Sequence, residues 1–147
     1  TDPSVFSAAA SQIRRGGNLG LVTKNLFKTI PVGQMRLLGR ILERTRINDE
    51  GIVTSAAMES DYDEVGAKPE DASRAVDFLN MIAGSNFCIL LSDGDKGEVK
   101  GSVRTQRDDL DISKVASALG GGGHKKAAGF GVPGKIREER IFKIVPK

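Results

Sequence analysis

The chain has little of what several functional classes require. It has one cysteine, Cys88, so no disulfide can close within it. It has one histidine, His124, which excludes an intrachain zinc site built from several Cys and His ligands. Tryptophan is absent, Tyr62 is the only tyrosine and the six phenylalanines are scattered, so there is no aromatic platform for stacked bases. No apolar run approaches the ~20 residues of a membrane-spanning helix, and no membrane partner is expected. The opening Thr1-Asp2-Pro3 is neither a methionine start nor a signal-peptide pattern, so a piece of a longer polypeptide is expected. Cys88 sits in the run Phe87-Cys88-Ile89-Leu90-Leu91 and reads as a small core side chain. A lone thiol of this kind fits a reducing, cytoplasmic setting.

What is present is one domain's worth of chain, or a domain with a leader, in 147 residues. The net charge of +3 hides a segregation: +6 over residues 1–47, −8 over 48–96 and +5 over 97–147. The acidic middle is therefore expected to lie away from any polyanion, and the last third to face it.

Periodicity and stop signals give the elements. Helices are expected over 4–15, capped by Asp2 or Ser4, and over 19–30 and 32–46, divided near Pro31. Residues 52–58 read as a strand, and an acidic connection leads to Pro69. Residues 69–83 place Ala72, Ala75, Val76, Leu79, Ile82 and Ala83 on one helical stripe. Strands are expected over 86–92 and 98–105, joined by the turn Asp93-Gly94-Asp95-Lys96-Gly97. In the second strand Lys100, Ser102 and Arg104 alternate with Val99, Gly101, Val103 and Thr105. A short helix over 112–119, with Asp111 as N-cap, precedes the glycine run. A strand over 130–133 and a basic closing helix over 134–144 complete the reading. The fold class is α/β: a mixed sheet of four or five strands flanked by helices, after a helical leader.

The chemistry concentrates in Gly120-Gly121-Gly122-Gly123-His124-Lys125-Lys126-Ala127-Ala128-Gly129. One glycine suffices to end a helix after Leu119, so four need another reason. One reading is a linker or a packing loop. The other is an anion-binding loop leading into a helix start, its backbone N–H groups converging on a phosphate with His124 and the lysines beside them. Ser102 and Arg104 project from one face of a single strand, and Arg grips phosphate through two parallel bonds. If that face meets the loop, the two form a phosphate or nucleotide clamp. Three carboxylate pairs, Asp61/Asp63, Asp93/Asp95 and Asp109/Asp111, have spacings that metal sites use, but turn and cap chemistry accounts for the latter two.

The stretch Gly120 to Gly129 closely resembles the signature of the DHH-associated domain, the C-terminal domain of the DHH (Asp-His-His) phosphoesterase superfamily. Ser102-Val103-Arg104-Thr105 resembles that family's Ser-x-Arg-Ser strand with a final Thr. Thr1-Asp2-Pro3-Ser4-Val5-Phe6 resembles a Thr-Asp-x-x-x-Phe segment near the end of the catalytic DHH domain. The nearest group by resemblance is the bacterial oligoribonuclease/pAp-phosphatase-like enzymes, also described as exopolyphosphatase-related or RecJ-like.

The resemblance implies a division at residue 47: residues 1–47 as the helical end of the catalytic domain and connector, 48–147 as the substrate-binding domain. It implies that Ser102 and Arg104 contact phosphate or sugar, and that His124 and the backbone of Gly121, Gly122 and Gly123 hold a terminal phosphate. The implied partners are short single-stranded RNA or DNA, or a nucleotide phosphate, and the DHH domain of the same polypeptide. Manganese is implied for that missing domain. This chain has no Asp-His-His motif, so no metal site, no cofactor and no catalytic residue are expected in it, and it is expected to be inactive alone. The rival readings are an RNA-binding module like the C-terminal domain of alanyl-tRNA synthetases, a structural dimerisation domain, and, within the superfamily, a single-strand exonuclease or a cyclic-dinucleotide phosphodiesterase.

Overall fold

The computed structural model describes residues 2–27, 29–94 and 97–139. The chain divides into two compact units, 1–31 and 32–147, and each is taken by itself.

The first unit holds α1 (Pro3–Arg14) and α2 (Leu19–Phe27). Asp2 caps α1, its carboxylate accepting from the Ser4 N–H at 2.8 Å, and Pro3 occupies a first-turn position where no N–H is needed. Neither helix buries a residue. Phe6, Ile13, Leu21, Leu26 and Phe27 are all exposed.

The second unit begins with α3 (Val32–Glu43). It continues through β1 (Arg46–Ile47), β2 (Ile52–Ala57), α4 (Glu59–Val65), a 3-10 turn (Pro69–Arg74), α5 (Ala75–Leu79) and β3 (Phe87–Asp93). β4 (Glu98–Arg104), α6 (Ser113–Ala118), β5 (Gly122–His124) and β6 (Ala127–Pro133) follow. The expected boundary at residue 47 falls inside this unit, because α3 packs on the sheet through Leu37 and Ile41, both fully buried.

The strands form one mixed sheet in the order β1-β2-β3-β4-β6-β5. β2 and β3 are parallel and every other pair is antiparallel. The mixed sheet, its flanking helices and the helical start match the sequence reading; the strand count rises to six because of the very short β1 and β5. One face of β2 and β3 is covered by α3, α4, the 3-10 turn and α5, whose Leu37, Ile41, Val76 and Leu79 meet Val53, Cys88 and Leu90. Each such large side chain contributes about 1.5–3 kcal/mol by leaving water. The opposite face is covered by the α6 region, where Ile112 and Ala116 meet Val103 and Ala128.

Three expectations are corrected. The acidic connection contains α4, held by Asp61, which is 1% exposed. The helix over 69–83 is a 3-10 turn followed by the five-residue α5. No closing helix is found over 134–139; those residues are irregular, because Asp93 draws the Ile136 N–H to its carboxylate at 2.8 Å. Residues 140–147 of that expected helix lie outside the described residues. Among the described residues, no helix is long and apolar enough to cross a membrane.

Candidate functional site

β4 positions two of the expected side chains. Residues directly opposite in antiparallel strands share a face. Ser102 lies opposite Gly129, and Gly129 opposite Gly122. Arg104 lies opposite Ala127, and Ala127 opposite His124. The structure thus brings Ser102, Arg104, Gly122 and His124 to one sheet face. That face is covered by helices over β2 and β3, while at β5 both Gly122 and His124 are exposed. Arg104 and His124 stand two strand spacings apart, about 10 Å between Cα atoms. Ala127 and Gly129 lie on β6 between them with little or no side chain, so the register leaves a shallow trough there.

The glycine run does not enter a helix. It ends α6 and becomes β5, and the small residues 127–129 belong to β6. This corrects the expected helix start, and the reason is close backbone approach. A Cβ at Gly121 would meet the Gly129 carbonyl oxygen at 2.1 Å, and one at Gly123 would meet the Ala128 Cα at 2.5 Å. Gly120 has φ +77°, a left-handed helix end that favours glycine. Gly122 differs from all three: its φ is not positive, and a Cβ there would meet nothing within 4 Å. The Gly121 N–H donates to the Ala116 carbonyl at 2.9 Å, so it is not free for an anion.

Arg104 is held in a defined pose. Its Nη1 donates to the Val103 carbonyl at 2.9 Å, and its Nε lies 3.8 Å from the Asp77 carboxylate. Asp77 belongs to the acidic middle that the charge pattern placed away from the site. It comes close because α5 packs on the same face beside β4, a placement with no sequence signal. The Ser102 hydroxyl has no hydrogen-bond partner among the described residues. Lys126 is drawn off to Asp108 at 2.5 Å and to the Gln106 carbonyl at 3.2 Å. That pairing holds the Asp108 carboxyl below its ordinary range, by the hydrogen bond first and the lysine charge second.

The carboxylate pairs, apart from the exposed Asp63, have structural partners. Asp61 accepts from Arg44, Arg40 and the Met58 N–H. Burial alone would raise its pKa, but these donors hold the carboxyl below the usual range. Asp93 accepts from the Glu59 and Ile136 N–H groups; its expected companion Asp95 lies outside the described residues. Asp109 pairs with Arg107, and Asp111 accepts from the Ser113 N–H beside α6. Among the described residues, no group of three or more His, Cys, Asp or Glu is placed to hold a metal ion. Burial pushes the Cys88 thiol up to about 11, as suits an inert core side chain.

The family model described as DHHA1 domain matches residues 49–147. Over 146 residues the chain is 31% identical to the bifunctional oligoribonuclease and PAP phosphatase NrnA of Thermus thermophilus, covering 99% of this chain and 43% of that protein. It is 24% identical to the A-adding tRNA nucleotidyltransferase of Aquifex aeolicus, covering 99% of this chain and 17% of that protein. The chain thus spans less than half the length of either relative. Among solved structures, an exopolyphosphatase-related protein from Bacteroides fragilis superposes with a TM-score of 0.83 at 17% identity, covering 92% of this chain and 40% of that one; this likeness concerns the fold.

Proposed function

The chain belongs to the DHHA1 family, and on that footing we propose that it is the substrate-holding part of a phosphoesterase acting on short oligonucleotides or small nucleotide phosphates. The observation that carries this reading is the gathering of Ser102, Arg104 and His124, in register, around one shallow trough of the sheet. A guanidinium, a hydroxyl and an imidazole about a small-residue floor can grip a phosphate and fix the bound end of a substrate. Gly122 needs no glycine for its own conformation, which supports a ligand passing over it.

The described residues do not fit a catalytic metal. Manganese and the hydrolytic step are assigned to a DHH domain of the same polypeptide, outside this chain. Ser102, Arg104 and His124 bind and orient, and the chain alone is expected to be inactive. The exposed apolar residues of α1 and α2 support a covering partner, which this reading takes to be that DHH domain. The lone, buried Cys88 fits a cytoplasmic setting.

The test is a calorimetric titration with the dinucleotide pApA and with unphosphorylated ApA. The expected result is preference for pApA, and weaker pApA binding in both Arg104→Ala and His124→Ala. Arg104 is partly exposed and loosely paired, so its loss is expected to cost about 1.5–3 kcal/mol. Equal binding of both ligands, or an unchanged Arg104→Ala, refutes the clamp. A second reading, an RNA-holding module with no part in hydrolysis, draws on the similarity to the tRNA nucleotidyltransferase; tight tRNA binding without preference for short 5′-phosphorylated ligands would favour it.

A further inference from the structure

Ser102 faces two ways. Besides the trough, it lines a pocket of about 240 Å³ between β3, β4 and the 3-10 turn, together with Glu70, Ser73, Leu90, Ser92 and Lys100. That volume suits one ring of a ligand and is too small for a whole nucleotide. Ser92, Lys100 and Ser102 share the face that bears Arg104, since Ser92 lies opposite Lys100 and Leu90 opposite Ser102.

The pocket is rich in acceptors. The Glu70 carboxylate has no hydrogen-bond or ion-pair partner among the described residues. The Ser73 hydroxyl already donates to the Glu70 carbonyl at 2.7 Å and the Ser92 hydroxyl to the Lys100 carbonyl at 3.4 Å, which leaves both oxygens as acceptors. Lys100 lies 3.8 Å from Glu98. The unpaired Glu70 carboxylate repels a phosphate, and the lysine that could offset it lies beside Glu98, so the pocket favours a neutral donor over an anion. A sugar diol brings two O–H donors, and carboxylates bind ribose hydroxyls in this way.

Resting on the phosphate clamp, we propose that this pocket receives the ribose of the nucleotide whose phosphate lies between Arg104 and His124. Its hydroxyls donate to Glu70 and reach the Ser73 and Ser92 oxygens. Two residues along β4, about 7 Å, separate Arg104 from Ser102 at the edge of the pocket, a step comparable with the reach from a phosphate to the hydroxyls of its own sugar. A 2′-hydroxyl is what separates RNA from DNA at such a site, so Glu70 becomes a determinant of ribose preference.

The experiment titrates the chain with pApA and its 2′-deoxy counterpart, comparing wild type, Glu70→Ala and Arg104→Ala. Wild type is expected to favour the ribose form about tenfold, the value of one hydrogen bond to a charged group. Glu70→Ala is expected to bring the ratio near one through loss of ribose-form affinity, while Arg104→Ala weakens both ligands alike. A wild type without preference, or a Glu70→Ala protein that keeps it, overturns the ribose pocket and leaves the clamp standing. If Arg104→Ala changes neither ligand, or neither binds wild type, the clamp itself fails and the pocket assignment falls with it.

Discussion

Four adjacent glycines carry different duties. Gly121 and Gly123 allow backbones to approach more closely than any Cβ permits, and Gly123 also has φ +142°. Gly122 meets neither constraint. Gly123→Ala is expected to lower stability by about 1–3 kcal/mol, whereas Gly122→Ala stays within about 0.5 kcal/mol of wild type. Urea titrations followed by circular dichroism separate the two. Equal losses would mean that the run acts as a uniform spacer. From sequence the four residues look alike, because the contacts that distinguish them come from Gly129 and Ala128 on a later strand. The identities of Ser102, Arg104 and His124 as site candidates were legible, and so was the shared face of the first two. What no local pattern revealed is the β6 register that aligns Arg104 with His124, or the approach of Asp77.

At the level of elements, legibility followed propensity. The alternation of β4 and the apolar run of β3 announced strands. β5 and the start of β6 did not, since glycine and alanine are poor strand formers. Their pairing is imposed from outside: the Lys126 carbonyl accepts from the Thr105 N–H and the Lys125 carbonyl from the Ile112 N–H. α4 was missed because its acids read as a solvated connection, yet Asp61 points inward to Arg44 and Arg40. This ion cluster joins α3 to α4. The Asp61 carboxyl sits below its ordinary value of 3.8 in the folded protein. Its contribution is therefore complete above the unfolded value and disappears as pH falls through the folded one. Asp61→Asn is expected to cost about 2–3 kcal/mol at pH 7 and less at an acidic pH, because the wild-type carboxyl loses its charge as the pH falls through its lowered folded value. Denaturant midpoints of both proteins at the two pH values check this, and a pH-independent difference would contradict the assignment.

Across the whole molecule, both core clusters lie within residues 37–128, and the helices of 1–31 bury nothing. A protein trimmed to residues 32–147 is expected to melt within a few degrees of the full chain, by about the shift that a change under 1 kcal/mol produces. Calorimetry measures it, and a large drop in Tm would show that α1 and α2 support the sheet. The longer chain is also expected to bind more of a hydrophobic dye such as ANS, in keeping with its exposed Phe6, Leu26 and Phe27.

The strand order carries a consequence for how the protein is made. β5 touches the rest of the sheet only through β6, yet precedes it in the chain. During synthesis β5 emerges with no strand to join, and β4 waits with one edge open. Ser102 and Arg104 therefore exist first on one unfinished border and His124 on a loose ribbon. Only when residues 127–133 have left the ribosome and slid between them do the two halves of the trough face each other. A nascent chain halted before that point would hold Ser102, Arg104 and His124 without the shared face that brings them together.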